Sequence, residues 1–164
     1  GFPDNTVLYG HNMKSGMFFH HLHDYKNLDF MKSHATIKFN TLYNEQEWKV
    51  FACFLTGIKA DQDGGVLFDY HNKLQLDNPE KFQDYYDNVM KRSYYLTDVD
   101  VKYGDELLTL STCSTEFYDS RFVIVARKVR PGESATVNPE KIVSNPDRYM
   151  PLVWYKIQNI KPPR

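Results

Sequence analysis

Cys113 stands where an apolar run, residues 107–112, gives way to the polar stretch Ser114-Thr115-Glu116. A thiol at the mouth of a strand can turn toward a cleft, and an accessible thiolate beside a base or a cation is a nucleophile. Eight residues on, Arg121 opens the next apolar run. If the two runs pair, a connection of that length returns Arg121 close to Cys113. Its guanidinium stays charged at any ordinary pH and presents several coplanar donors, which suits a developing oxyanion or a substrate carbonyl. His11 follows the β-prone run Thr6-Val7-Leu8-Tyr9 and Gly10. An imidazole at a strand end is fixed by its scaffold, remains open to solvent and exchanges a proton near neutrality. A lone cysteine is also, and more often, a small buried hydrophobe, so residue types alone leave both readings open.

The elements that must position these groups are read from periodicity and turn chemistry. Residues 6–9 form a strand ending at Gly10. Phe18, Leu22 and Tyr25 recur at helical spacing, which predicts a short amphipathic helix from Ser15 to about Asn27 with His20 and His23 on its other face. Residues 36–42 and 48–58 read as a hairpin around the polar turn 43–46, and residues 61–65 as a loop. Asn78-Pro79-Glu80 is a helix start, with Asn as N-cap and Pro in the first turn. The stripe Phe82, Tyr85, Tyr86, Val89 carries that helix toward Ser93. Residues 105–113 and 122–129, rich in Leu, Val and Ile, are the expected central strands. The tail from Asn138, with five prolines, predicts one short helix plus surface wrapping.

Composition bounds the reading. A chain of 164 residues that is 41% hydrophobic fits one globular domain over residues 1–164, and 15% aromatics favour a strand-rich fold, mainly β with added helices. A net charge of −1 leaves no positive field for nucleic acid, and no apolar run approaches the roughly 20 residues of a membrane span. Cys53 sits in the apolar run Val50-Phe51-Ala52-Cys53-Phe54-Leu55 and is expected in the core. His20, His21, His23 and Asp24 lack a second ligand set and read as a solvated helix face, and His34 and His71 as surface or loop residues. Asp61 and Asp63, like Asp98 and Asp100, lack the ligand spacing of a calcium loop and read as solvated. No metal and no cofactor is expected.

Thr109-Leu110-Ser111-Thr112-Cys113, then Glu116-Phe117, then Arg121-Phe122-Val123-Ile124-Val125-Ala126-Arg127 closely resembles the nucleophile strand and following strand of class B sortases. Tyr9-Gly10-His11-Asn12-Met13, with Met17-Phe18 beyond, is similar to the histidine motif of the same family. The resemblance runs from about Thr6 to Arg130. It implies the sortase β-barrel, with a helix before the nucleophile strand that walls the substrate groove. It implies a cysteine transpeptidase in which Cys113 attacks the peptide bond after Thr in a sorting signal, His11 moves the proton and Arg121 steadies the carbonyl oxygen. Ser111, Asn12 and Ser114 are the expected substrate contacts. The implied partners are a surface protein's sorting signal and an amine from a peptidoglycan precursor or a pilin lysine, at the outer face of a Gram-positive cell. Membrane attachment would come only through an N-terminal anchor that this sequence lacks.

Two rivals stand beside this reading. A cysteine protease would pass the acyl group to water, but papain-like enzymes place Cys before His, and here His11 precedes Cys113. A non-catalytic surface-binding module would keep the fold without the chemistry. The family pattern has strands and helices before its histidine motif, whereas ten residues precede His11 here. The chain is therefore expected to be N-terminally truncated or one piece of a larger chain, with unpaired strand edges. The isolated 164 residues are then expected to lack independent stability. Cooperative urea unfolding with a stability in the ordinary range of about 5–15 kcal/mol would overturn that expectation.

Overall fold

The computed structural model describes residues 4–10, 21–40, 45–72 and 75–164, with backbone alone for Phe39 and Asn40. Strand β1 spans Asn5–Gly10. After a single 3-10 turn at Leu22–Lys26 comes the short helix α1, Leu28–Ser33. Strands β2, Thr36–Asn40, and β3, Glu45–Gly57, form the expected hairpin. Helix α2 covers Pro79–Arg92, and the two-residue strand β4 covers Tyr95–Leu96. Strands β5, Leu107–Ser114, and β6, Ser120–Lys128, are followed by β7, Val143–Ser144, and helix α3, Leu152–Gln158.

The five long strands make one sheet in the order β1-β5-β6-β3-β2, while β4 and β7 pair separately. Among the described residues only the β1–β5 pair is parallel. Among the described residues the sheet ends at β1 and β2, so five strands stand for the barrel that the resemblance implies. Alternation sends Leu108 and Leu110 of β5 and Phe122, Ile124 and Ala126 of β6 into one core, and Leu107, Val123 and Val125 into a second on the opposite face. A bulge in β3 between Val50 and Ala52 lets Phe51 and Ala52 both serve the second core. Alternation then resumes, with Cys53 and Leu55 in the first core and Phe54 in the second.

Helix α2 covers the second face with Phe82, Tyr85 and Val89. Its start is the one the sequence predicts: the Asn78 side chain accepts from the Lys81 amide at 2.8 Å. The first face is covered by Leu22, Tyr25 and Met31 from the 21–33 region and by Ile142, Met150 and Tyr155 from the tail. The tail is thus more than surface wrapping. The helix expected from Ser15 to Asn27 falls partly outside the described residues. Its described part is the 3-10 turn, and the α-helix begins later because Asn27 caps α1, accepting from Asp29 and Phe30 amides at 2.9 and 3.2 Å. Nor is Asp63 a solvated loop residue. It is buried in the turn Ala60–Asp63, where it accepts from Tyr149 Oη at 2.6 Å and the Leu152 amide at 2.9 Å and pairs with Arg164. No helix among the described residues is long and apolar enough to cross a membrane.

At the end of the sheet remote from Cys113, the Arg127 guanidinium is buried and makes two bonds to Glu133, at 2.7 and 2.9 Å, with Lys49 Nζ at 3.5 Å from the same carboxylate. Those bonds hold the Glu133 carboxyl down at about 2, against an ordinary 4.5. A depressed carboxyl stabilises the fold above its unfolded pKa and loses that contribution as the pH falls through the folded one. Stability should therefore drop between about pH 4.5 and pH 2. Glu133→Gln should be less stable than the parent at pH 7, with the difference shrinking on acidification. Urea unfolding of both proteins from pH 7 downward checks this, and an equal gap at every pH would refute it.

Candidate active site

The β5–β6 register sets Cys113 directly opposite Arg121. Directly opposed residues of an antiparallel pair share a face, with Cβ atoms about 4.5–5.5 Å apart. Both side chains border one cleft of about 440 Å³, together with Tyr9, Gly10, Ile58, Tyr70, His71, Ser111 and Thr112. On the other side of β5, the parallel ladder with β1 sets Gly10 opposite Thr112. Residues of β1, β5 and β6 therefore meet at the cleft. His11 and Asn12, next after Gly10, lie outside the described residues.

Cys113 is exposed and Cys53 is fully buried, and neither is in a disulfide. Burial pushes the Cys53 thiol well above the ordinary range, so it stays protonated at neutral pH. Arg121 is half-buried, and one guanidinium nitrogen donates to its neighbour's carbonyl, Ser120 O, at 2.9 Å. That contact steadies the planar group at the strand end.

Ser111 is two residues before Cys113 on the same face and lines the cleft. Its hydroxyl lies 2.7 Å from Tyr70 Oη, and both groups are buried. Burial pushes the Tyr70 phenol up to about 12, so it remains a neutral hydroxyl across the working pH range. Ser114 does not border the cleft. Its hydroxyl accepts from the Glu116 amide at 3.3 Å and donates to the Glu116 carboxylate at 3.4 Å, which shapes the turn into β6.

Helix α2 occupies the connection before β5, but none of its residues borders the cleft. The wall is instead the turn Tyr70–Asn72. His71 in that turn is a cleft residue rather than a bland surface histidine. Its Nε2 is 3.1 Å from Asp69, and its ring meets Tyr9 edge-on at 6.4 Å. Sequence reasoning missed Tyr70, His71 and Ile58, which come from separate loops with no motif around them. Helix α2 acts at one remove: Tyr85 Oη is 2.7 Å from Thr109 Oγ1, which donates to Asn5 Oδ1 at 2.9 Å. No group of three or more metal-ligating side chains occurs among the described residues.

A family model described as the sortase domain matches residues 1–129. Sortase B of Listeria monocytogenes is 32% identical over 127 residues, which are 76% of this chain and 48% of that protein. Sortase B of Staphylococcus aureus is 29% identical over 128 residues, 77% of this chain and 49% of that one. The chain thus spans about half the length of these curated relatives. Its fold is similar to that of a solved Staphylococcus aureus sortase B–substrate complex, with a TM-score of 0.65, 28% identity and coverage of 79% of this chain and 57% of the other.

The Tyr70–Ser111 contact makes a prediction of its own. Tyr70→Phe leaves a buried Ser111 hydroxyl without that partner and should destabilise by about 1–3 kcal/mol. Adding Ser111→Ala should recover part of the loss, because removing both partners of a buried bond is milder than removing one. Urea denaturation of the two single variants and the double variant measures the coupling, and strictly additive losses would show that the hydroxyls do not interact.

Proposed function

The chain belongs to the sortase family, and from that premise we propose that it supplies the nucleophile half of a class B cysteine transpeptidase. The observation that carries the reading is the cross-strand pairing of Cys113 with Arg121 at one open cleft. A thiolate and a fixed, permanently charged planar donor on the same sheet face form the minimum machinery for attack on a carbonyl and stabilisation of the resulting oxyanion.

In this proposal the Cys113 thiolate attacks the Thr carbonyl carbon in the peptide bond that follows Thr in a sorting signal, and Arg121 receives the negative charge that develops on oxygen. The C–N bond then breaks, and His11 gives the departing amine its proton. The acyl group stays on Cys113 as a thioester until a second amine attacks it. Transfer of that amine's proton to His11 and expulsion of the thiolate complete an amide and restore the enzyme. The acceptor is an amine of a peptidoglycan precursor or a pilin lysine, and the site of action is the outer face of a Gram-positive cell. Ser111 contributes to the groove floor and Asn12 to the substrate's placement. Water competing for the thioester gives the hydrolytic rival, which differs by its indifference to amine.

Incubation of the chain with a panel of Thr-containing signal peptides, with and without an oligoglycine or a lysine peptide, tests this by mass spectrometry. An acyl adduct on Cys113, amine-dependent ligation, and loss of both in Cys113→Ala are the expected results. Arg121→Ala should slow acylation by about 10²–10³-fold, the usual effect of removing one oxyanion donor, and Arg121→Lys should not restore it, since a point charge lacks the planar fork. Products unaffected by amine would favour the hydrolase. A folded protein with a reactive Cys113 and no adduct from any peptide would favour a binding module.

A further inference from the structure

The backbone of Cys113 is held from the face of the sheet opposite the cleft. His23 Nε2 lies 2.9 Å from the Cys113 carbonyl oxygen. A carbonyl oxygen only accepts, so Nε2 carries the proton. The imidazole stacks on Phe122 with ring centroids 6.0 Å apart, and the Phe122 side chain belongs to the first core. His23 is absent from the cleft lining. It therefore reaches the cysteine through the main chain and leaves the thiol side to substrate.

The turn that presents His23 is firmly seated. Leu22 and Tyr25 are buried on either side of it, Tyr25 Oη donates to His34 O at 2.6 Å, and Tyr95 Oη donates to Tyr25 O at 2.7 Å. Lys26 joins the turn to the β5–β6 connection through Glu116 at 3.1 Å and lies 5.1 Å from the centre of the Phe122 ring. Burial and the Lys26 cation lower the His23 pKa, opposed by the Cys113 carbonyl and by Glu116 and Asp24. Neutral imidazole with the proton on Nε2 is then the form that makes the bond at pH 7.

The place of this bond matters because Cys113 lies one residue before the end of β5 at Ser114. Around that end, side chains hold three carbonyls of the strand and the connection. His23 holds Cys113 O, Ser120 Oγ donates to Ser114 O at 2.9 Å, and Gln62 Nε2 donates to Tyr118 O at 2.6 Å. The first of the three acts on the cysteine itself.

We propose that His23 is a positioning residue for Cys113: by donating to its main-chain carbonyl from behind the sheet, it fixes the angle at which the thiol meets the scissile carbonyl and Arg121. This rests on Cys113 being the nucleophile. A shift of about 1 Å in a reacting group lowers rate on the order of a hundredfold, so a strand end left to fray should lose turnover while its groove still binds peptide.

Two variants separate the bond from the packing. His23→Phe keeps the ring on Phe122 and removes the donor, and His23→Gln offers an amide donor without the ring. With the peptide that acylates best in the panel above, His23→Phe should lower kcat by about ten- to a hundredfold with KM and thermal midpoint held. His23→Gln should regain most of that rate, and hydrogen exchange at residues 112–116 should quicken in the Phe variant alone. Parental kcat in His23→Phe overturns the proposal. So does a loss of rate common to both variants that follows a fall in thermal midpoint, which would make His23 a packing residue. Undiminished acylation in Cys113→Ala would remove the nucleophile assignment itself, and the proposal with it.

Discussion

The register of β5 between its two neighbours is the constraint on which the site depends. Antiparallel pairing with β6 places Arg121 opposite Cys113, and parallel pairing with β1 places Gly10 opposite Thr112. A slip of one residue in either pairing would turn every side chain of β5 to the other face. Leu108 and Leu110 would leave the first core and the cysteine would leave the cleft. The register is fixed by more than apolar alternation. Thr109 is held in a buried relay in which it donates to Asn5 of β1, so the 2.7 Å contact with Tyr85 of α2 has the tyrosine as donor. Each of these hydroxyl and amide groups, if left unpaired in the core, would cost about 1–3 kcal/mol. The relay therefore penalises slippage of β1 against β5 and displacement of α2 together.

The same register explains why two cysteines in one sheet behave differently. Cys53 faces the first core from β3, paired with Ile124 of β6 on one side and its carbonyl accepting from the Tyr94 amide at 2.8 Å on the other, with Tyr25 and Tyr95 nearby. Desolvation keeps it a neutral, inert thiol. Cys113 lies one residue before the end of β5, where the cover from α2 has given way to the Tyr70–Asn72 turn. Exposure there follows from how the strands end, with no change in residue type. The cleft floor is nonetheless polar and rigid, since Ser111 and Tyr70 satisfy one another beneath it.

What could be read from the sequence was what is local in it. Asn78 and Pro79 announce α2 because a cap and its helix are contiguous, and the Cys113–Arg121 apposition follows from a hairpin short enough to have one sensible closure. The β-rich architecture was visible in the alternating Leu, Val and Ile of β5 and β6. Features built across long separations were not legible. Asp63 reads as solvent-facing because its partners Tyr149, Leu152 and Arg164 lie 86 to 101 residues away. His71 reads as a surface histidine because the cleft beside it is assembled from four other segments. His23 reads as one histidine in a polar helix face, when its role depends on a carbonyl 90 residues distant. The capping of α1 by Asn27 was a local signal that went unread, hidden by the apolar spacing upstream.

Residues 130–164 lie beyond the sortase family match, yet they are tied to the site by a continuous set of contacts. Ile142, Met150 and Tyr155 complete the first core, and Asp63 gathers Tyr149, Leu152 and Arg164 onto the turn Ala60–Asp63. The Tyr149 ring is flanked by cations, with Arg164 at 3.7 Å, Lys91 at 4.3 Å and Arg92 at 4.9 Å from its centre, which fastens the tail to the end of α2 as well. Gln62 belongs to the same turn. Its carboxamide accepts from the Lys59 amide, donates to Tyr118 O, and packs so closely on β3 that a Cβ at Gly57 would overlap it. Tyr118 lies in the connection that leads into Arg121. The turn Ala60–Asp63 thus faces both ways, with Asp63 toward the tail and Gln62 toward the connection between β5 and β6, so the segment outside the family match is joined to the site through this turn as well as through the first core.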